Sequence, residues 1–172
     1  MTGRAGALAA MAITAVVLTT VVAPTFALGA VRPDLVLLTV VLVALADGST
    51  VGARYGFSVG LLSDLVSGGD QLVGVGAFVL LVVGYLVGVT RPYLASSELV
   101  AQVATVVGAT VLAVCAQGLL AVLLGTSTVS AGSLFATALG AALYHVLLIP
   151  VLLRPVAALY RRVAGPTADA PR

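Results

Sequence analysis

The chain has 172 residues, of which 61% are hydrophobic and 8% charged, and its net charge is +2. A soluble domain carries about a quarter charged residues, so this composition excludes a water-solvated globule and points to a polytopic membrane protein whose solvent is the lipid bilayer. All eight basic residues are arginines scattered along the chain, which excludes the clustered basic footprint of a nucleic-acid partner.

Six apolar segments follow one another. The first covers residues 5–30, with Pro24 as a kink. It has no charge between Arg4 and Arg32. That run exceeds the apolar core of about 7–15 residues in a cleaved signal peptide, so it is read as a retained span. The second covers 34–46 and follows Arg32-Pro33-Asp34: proline suits a helix start, and Asp34 suits the positive end of the helix dipole. The third covers 51–66, the fourth 72–90, the fifth 98–124 and the sixth 131–153. About 13 residues cover roughly 20 Å of a 30 Å hydrocarbon core, so the second and third segments form either a shallow hairpin or two crossings extended by polar ends. Both return the chain to the same side. The fold class is all-α, a six-helix transmembrane bundle. Residues 1–163 form one integral-membrane domain, and 164–172, rich in Ala and Pro, form a disordered cytoplasmic tail.

With the N-terminus in the cytoplasm, Arg4, Arg54, Arg91, Arg154, Arg161, Arg162 and Arg172 fall inside, and only Arg32 falls outside. This bias predicts that both termini are cytoplasmic. Tyr93 and Tyr160 then lie near the inner interface.

Within the third segment Gly52, Gly56 and Gly60 recur every four residues, a small-residue stripe that lets another helix approach closely. Asp64 continues the series and lags Gly60 by only about 40° of helix rotation. It is expected to point into a helix–helix seam or to meet water at the outer end. Arg32, at the same expected depth, is its candidate ion-pair partner. Gly84 and Gly88 repeat the spacing in the fourth segment, and Gly132, Ala136 and Gly140 in the sixth. Gly56-Phe57-Ser58-Val59-Gly60 spells the hydrolase elbow G-x-S-x-G, and Ser58, Asp64 and His145 follow the hydrolase order. The elbow needs a strand, a sharp turn and a helix, however, and this pattern lies inside a helical span, so helix packing is the reading. Asp47 and Arg54 flank the Gly48-Ser49-Thr50 turn. His145, with no second histidine and no thiolate pair, is expected to be hydrogen-bonded inside the bundle, and Cys115, mid-span, to be a buried structural thiol. Gln102 and Gln117 are read as cross-helix hydrogen-bond formers. No catalytic, cofactor or metal residues are assigned.

Arg32-Pro33-Asp34-Leu35, then Gly56-Phe57, Gly60-Leu61-Leu62 and Asp64, then Gly74-Val75-Gly76-Ala77 and Gly84-Tyr85-Leu86, in that order, resemble the MreD family of rod shape-determining proteins. The resemblance implies a non-enzymatic scaffold of the cell-wall elongation complex. Such a scaffold binds an MreC-like single-span protein and, through it, a RodA-type glycosyltransferase and a penicillin-binding transpeptidase, in support of peptidoglycan synthesis and cell shape. It also implies a bundle similar to the S-component fold of energy-coupling-factor transporters. Helix-packing or partner-binding positions are then Gly52, Gly56, Phe57, Gly60, Asp64, Gly74, Gly76, Gly84 and Gly88, and the small-residue faces also allow self-association. The rival reading is a vitamin-like substrate-binding subunit of a transporter. That reading needs a cavity with converging polar groups, for which Asp64, Gln71, Tyr85, Gln117, Tyr144 and His145 are the candidates.

Overall fold

A computed structural model describes residues 2–22, 25, 34–67, 73–94, 99–125 and 132–147. Among them are six helices and no strand. These are α1 (Thr2–Val17, continued by a π-helical turn, Leu18–Val22), α2 (Leu35–Asp47), α3 (Ser49–Ser67), α4 (Val75–Leu94), α5 (Leu99–Leu123) and α6 (Gly132–Leu147). Pro24, Arg32, Gln71, Tyr160 and the 164–172 tail lie outside the described residues.

α2 is apolar on every side and occupies the middle, in contact with α1, α3, α4 and α5. Its residues Val36 to Val41, together with Val43 and Ala44, are all buried. A helix without a polar face can be surrounded by other helices or by lipid, and its contacts with four neighbours place α2 at the centre. Asp34 caps it. The Asp34 carboxylate accepts the amide of Leu37 at 2.9 Å, filling one of the orphan donors of the first turn. At the other end Gly48 adopts φ 87°, and its N–H bonds to Ala44 O at 2.9 Å. This single residue reverses the chain, so α3 begins at Ser49, two residues before the span that periodicity suggests.

α3 and α4 make the most extensive contact in the molecule and lie antiparallel. α4 runs through Arg91 and Pro92 to Leu94. Proline in the last turn removes only one backbone bond, so the helix continues past the end at residue 90 read from the sequence. Among the described residues, two stretches are long and apolar enough to cross a membrane, Val75–Tyr93 and Val103–Leu123. α2, at 13 residues, is shorter.

The fully buried side chains are mostly Leu37, Val40, Val41, Val43, Val59, Val79 and Val83, on α2, α3 and α4. α5 and α6 instead expose Leu119, Leu123, Phe135, Leu139, Leu143 and Leu147. Cys115 belongs to that outer surface: it is exposed, contrary to the buried thiol expected from its mid-span position. Depth along a helix does not determine azimuth, and α5 is covered on only part of its circumference.

Candidate functional site

The third-segment glycines form the seam between α3 and its neighbours. A Cβ placed on Gly52 would stand 2.7 Å from both Ala44 Cβ and Gly84 O. On Gly56 it would overlap Leu80 O and stand 2.8 Å from Leu80 C, and on Gly60 it would stand 2.6 Å from Ala77 Cα. From the other side, a Cβ on Gly84 would overlap Gly52 O, and one on Gly88 would overlap Ser49. Backbone therefore lies on backbone along the length of the pair. In lipid, where apolar surface gains little by leaving its surroundings, such close van der Waals packing is a main source of helix association.

Asp64 closes this seam at the α4 end. One carboxylate oxygen, Oδ2, accepts the amide of Gly74 at 2.8 Å and that of Ala77 at 3.2 Å. These are donors of the first turn of α4, so a carboxylate of α3 caps the next helix and meets the positive end of its dipole. Gly76 makes room, because a Cβ there would collide with Asp64 Oδ1. Gly74 has a different part: it has φ 102° and open space around its Cβ position, so it is a backbone turn rather than a packing contact. Arg32 lies outside the described residues, so the Arg32–Asp64 pair is not among the observed contacts.

A second polar node ties the start of α2 to the middle of α5 and the last turn of α6. His145 of α6 is 1% exposed. Its Nε2 lies 3.0 Å from the backbone N of Asp34, and its Nδ1 lies 2.9 Å from Thr110 Oγ1. Because the Asp34 amide can only donate, Nε2 is the acceptor and Nδ1 carries the proton. Nδ1–H donates to Thr110 Oγ1, which donates to Val106 O at 2.8 Å. Every polar atom in the node is satisfied, and it joins the α2 cap to α5 and α6. Thr110 was not distinguishable in the sequence from the other span threonines, and Asp34 lies 111 residues from its partner. His145→Phe is expected to leave the Asp34 amide unpaired and to destabilise the protein by about 2–3 kcal/mol, read as a lower thermal midpoint in detergent.

The remaining candidates are dispersed. Ser58 is exposed and its hydroxyl donates to Arg54 O at 2.9 Å. With Asp64 committed to α4 and His145 to α2 and α5, the three residues of the hydrolase order form no triad. Ser58→Ala is expected to change stability by less than about 0.5 kcal/mol in the same melting assay. Phe57 is 44% exposed and Tyr85 50%, both on the outside of the α3–α4 pair. Gln117 is also exposed, and no hydrogen bond joins it to the described residues. Outward placement separates Tyr85 and Gln117 from the polar interior that a carrier cavity would use. Gly132 and Ala136 are exposed, and Gly132 has open space around its Cβ position.

No curated protein and no solved structure matches the chain. A family model described as rod shape-determining protein MreD matches residues 4–163. That match takes in the glycine seam, the Asp64 cap and the His145 node, and covers nearly all of the sequence: the chain belongs to the MreD family of rod shape-determining proteins.

Proposed function

We propose that this protein is a non-enzymatic membrane scaffold of the cell-wall elongation machinery. It holds an MreC-like single-span protein and, through it, supports the RodA-type glycosyltransferase and penicillin-binding transpeptidase that build peptidoglycan. Membership of a rod shape-determining family supports the cellular role. The observation that carries the scaffold reading is how the polar groups are used: Asp64 and His145 each hold one helix to another. The glycines bring α3 and α4 into backbone contact. Such a frame presents fixed outer surfaces in the bilayer, as a scaffold requires. The arginine distribution supports a cell-membrane location with both termini cytoplasmic.

The test is to tag the protein in its own host, extract it gently and identify what co-purifies, comparing wild type with Gly60→Leu and Asp64→Leu. Recovery of an MreC-like protein with wall-synthesis enzymes, diminished in both variants, is the expected result. Recovery of nucleotide-binding transporter subunits, with wall proteins absent, would replace the scaffold with the carrier. Orientation is checked by a C-terminal reporter, which is expected to be inactive if it requires the periplasm.

A further inference from the structure

The α3–α4 pair has two flanks, and only one is covered. Helix residues advance by about 100° each. On α3, Tyr55 and Val59 stand to one side of the Gly56 contact line. On α4, Val83 and Val87 stand to the same side of Gly84. All four are buried, and this is the flank that faces α2. Phe57 stands about 100° to the other side of Gly56, and Tyr85 about 100° to the other side of Gly84. In an antiparallel pair these positions share one flank. Phe57, Phe78, Tyr85 and Val89 are all exposed there, so no described helix covers it.

This flank carries polar groups that lipid does not match. Arg54 is exposed on its rim, and its side chain has no ion pair or hydrogen bond among the described residues. The Tyr85 hydroxyl likewise has no partner among them. Tyr85 lies near the middle of the apolar stretch Val75–Tyr93. Tyrosines of membrane helices otherwise concentrate at the interfaces, and hydrocarbon offers no acceptor. The two donors are close in level. Gly52 packs on Gly84 and Gly56 on Leu80, so Arg54 stands about three residues, roughly 4–5 Å, along the pair from Tyr85 and points about 60° beyond Phe57, deeper in the span than the inner-side position expected from the sequence. Spanning helices normally turn such groups toward other protein. Here they face outward.

We propose that this flank docks one transmembrane helix of a partner protein, and that this helix carries an Asp or Glu opposite Arg54 and Tyr85. A carboxylate has two oxygens to accept the guanidinium and the phenol together, and it neutralises the cation. The rest of the contact is apolar, on Phe57 and Phe78. The occupant is a helix because only a segment that satisfies its own backbone can lie there in lipid. The proposal rests on the scaffold reading and adds to it the place and the chemistry of the contact.

The test uses the full chain in native membranes, with a photoreactive phenylalanine analogue at position 57 or 78 and at exposed position 119 on α5 as a control. Adducts are digested and the linked peptide sequenced. A discrete protein adduct from 57 and 78 but not 119, with the linked peptide in an apolar span containing Asp or Glu, is the expected result. Arg54→Glu then opposes like charges and cuts the adduct about tenfold or more, and replacing the partner's acid by arginine restores it. Tyr85→Phe removes one donor and lowers it by about threefold. Melting and gel-filtration profiles matching wild type establish that these variants fold. Adducts to lipid alone, to a second copy of this chain, or to a protein indifferent to Arg54→Glu overturn the proposal. If wall-synthesis proteins still co-purify in that case, the docking flank is wrong and the scaffold reading stands. If the linked span belongs to a protein unrelated to wall synthesis and reversal restores it, the flank is right and the scaffold reading fails.

Discussion

Gly56→Leu is expected to prevent assembly of the bundle, seen as loss of the monodisperse gel-filtration peak and of a cooperative melting transition in detergent. Even a methyl group at this position would overlap the carbonyl of Leu80 and stand 2.8 Å from its carbon. Backbone cannot swing aside as the end of a flexible side chain can. α3 and α4 would have to part, and the contacts at Gly52, Gly60, Gly84 and Gly88 would open with them. Overpacking by a few methylenes costs about 1–3 kcal/mol where the surroundings can adjust, and here the surroundings are main chain. A cost above about 3 kcal/mol is a large share of the 5–15 kcal/mol that holds a typical domain together. Gly56→Ala is expected to show an intermediate loss. Gly108→Ala supplies the contrast. This glycine lies in α5 with no atom near its Cβ position, so the gain in helix propensity, about 1 kcal/mol, meets no opposing clash. Equal destabilisation by the Ala variants at 56 and 108 would show that glycine content, rather than the seam, governs stability.

Some of this arrangement is legible in the amino-acid sequence because it depends on local periodicity. Four-residue spacing puts Gly52, Gly56 and Gly60 on one face, and Asp64 follows in register, so a small face with a carboxylate at its end can be read directly. The all-helical class follows from apolar segment length and scarcity of charge. What the face packs against is another matter. Asp64 bonds to amides 10 and 13 residues further on, across a turn, and nothing in a carboxylate's own neighbourhood says whether an arginine or a helix N-terminus will meet it. The His145 node is less legible still, because its partners lie in α2 and α5 and one of them is a backbone amide. Azimuth was the other limit. Cys115 and Gln117 sit mid-span by sequence, yet both face outward. Which side of a helix is covered depends on how many neighbours it has, and α5 has few.

Asp64→Ala is expected to destabilise the protein by about 2–3 kcal/mol, and Asp64→Asn by about 1 kcal/mol. One oxygen of Asp64 takes both amides, at 2.8 and 3.2 Å. Alanine leaves two donors of the α4 first turn without their acceptor. Asparagine keeps one acceptor oxygen but loses the negative charge that favours a helix N-terminus, a contribution of about 0.3–1 kcal/mol. Hydrogen exchange over residues 73–78 is expected to quicken in the same order. Gly76 turns this into a sharper test. A methyl on Gly76 would collide with Asp64 Oδ1, so Gly76→Ala should push the carboxylate off its amides and reproduce much of the Asp64→Ala loss with Asp64 itself intact. The two changes then remove the same interaction, and the double variant should be scarcely less stable than Asp64→Ala alone. Two full, additive losses would mean that Gly76 and Asp64 stabilise the bundle separately and that the cap is not what holds α4 to α3. Non-additivity, together with faster exchange at Gly74 and Ala77, would identify the carboxylate as the tie between the two helices. It would also explain why an acidic residue ends a stripe of glycines: the glycines bring two backbones together, and the carboxylate fixes how far one slides along the other.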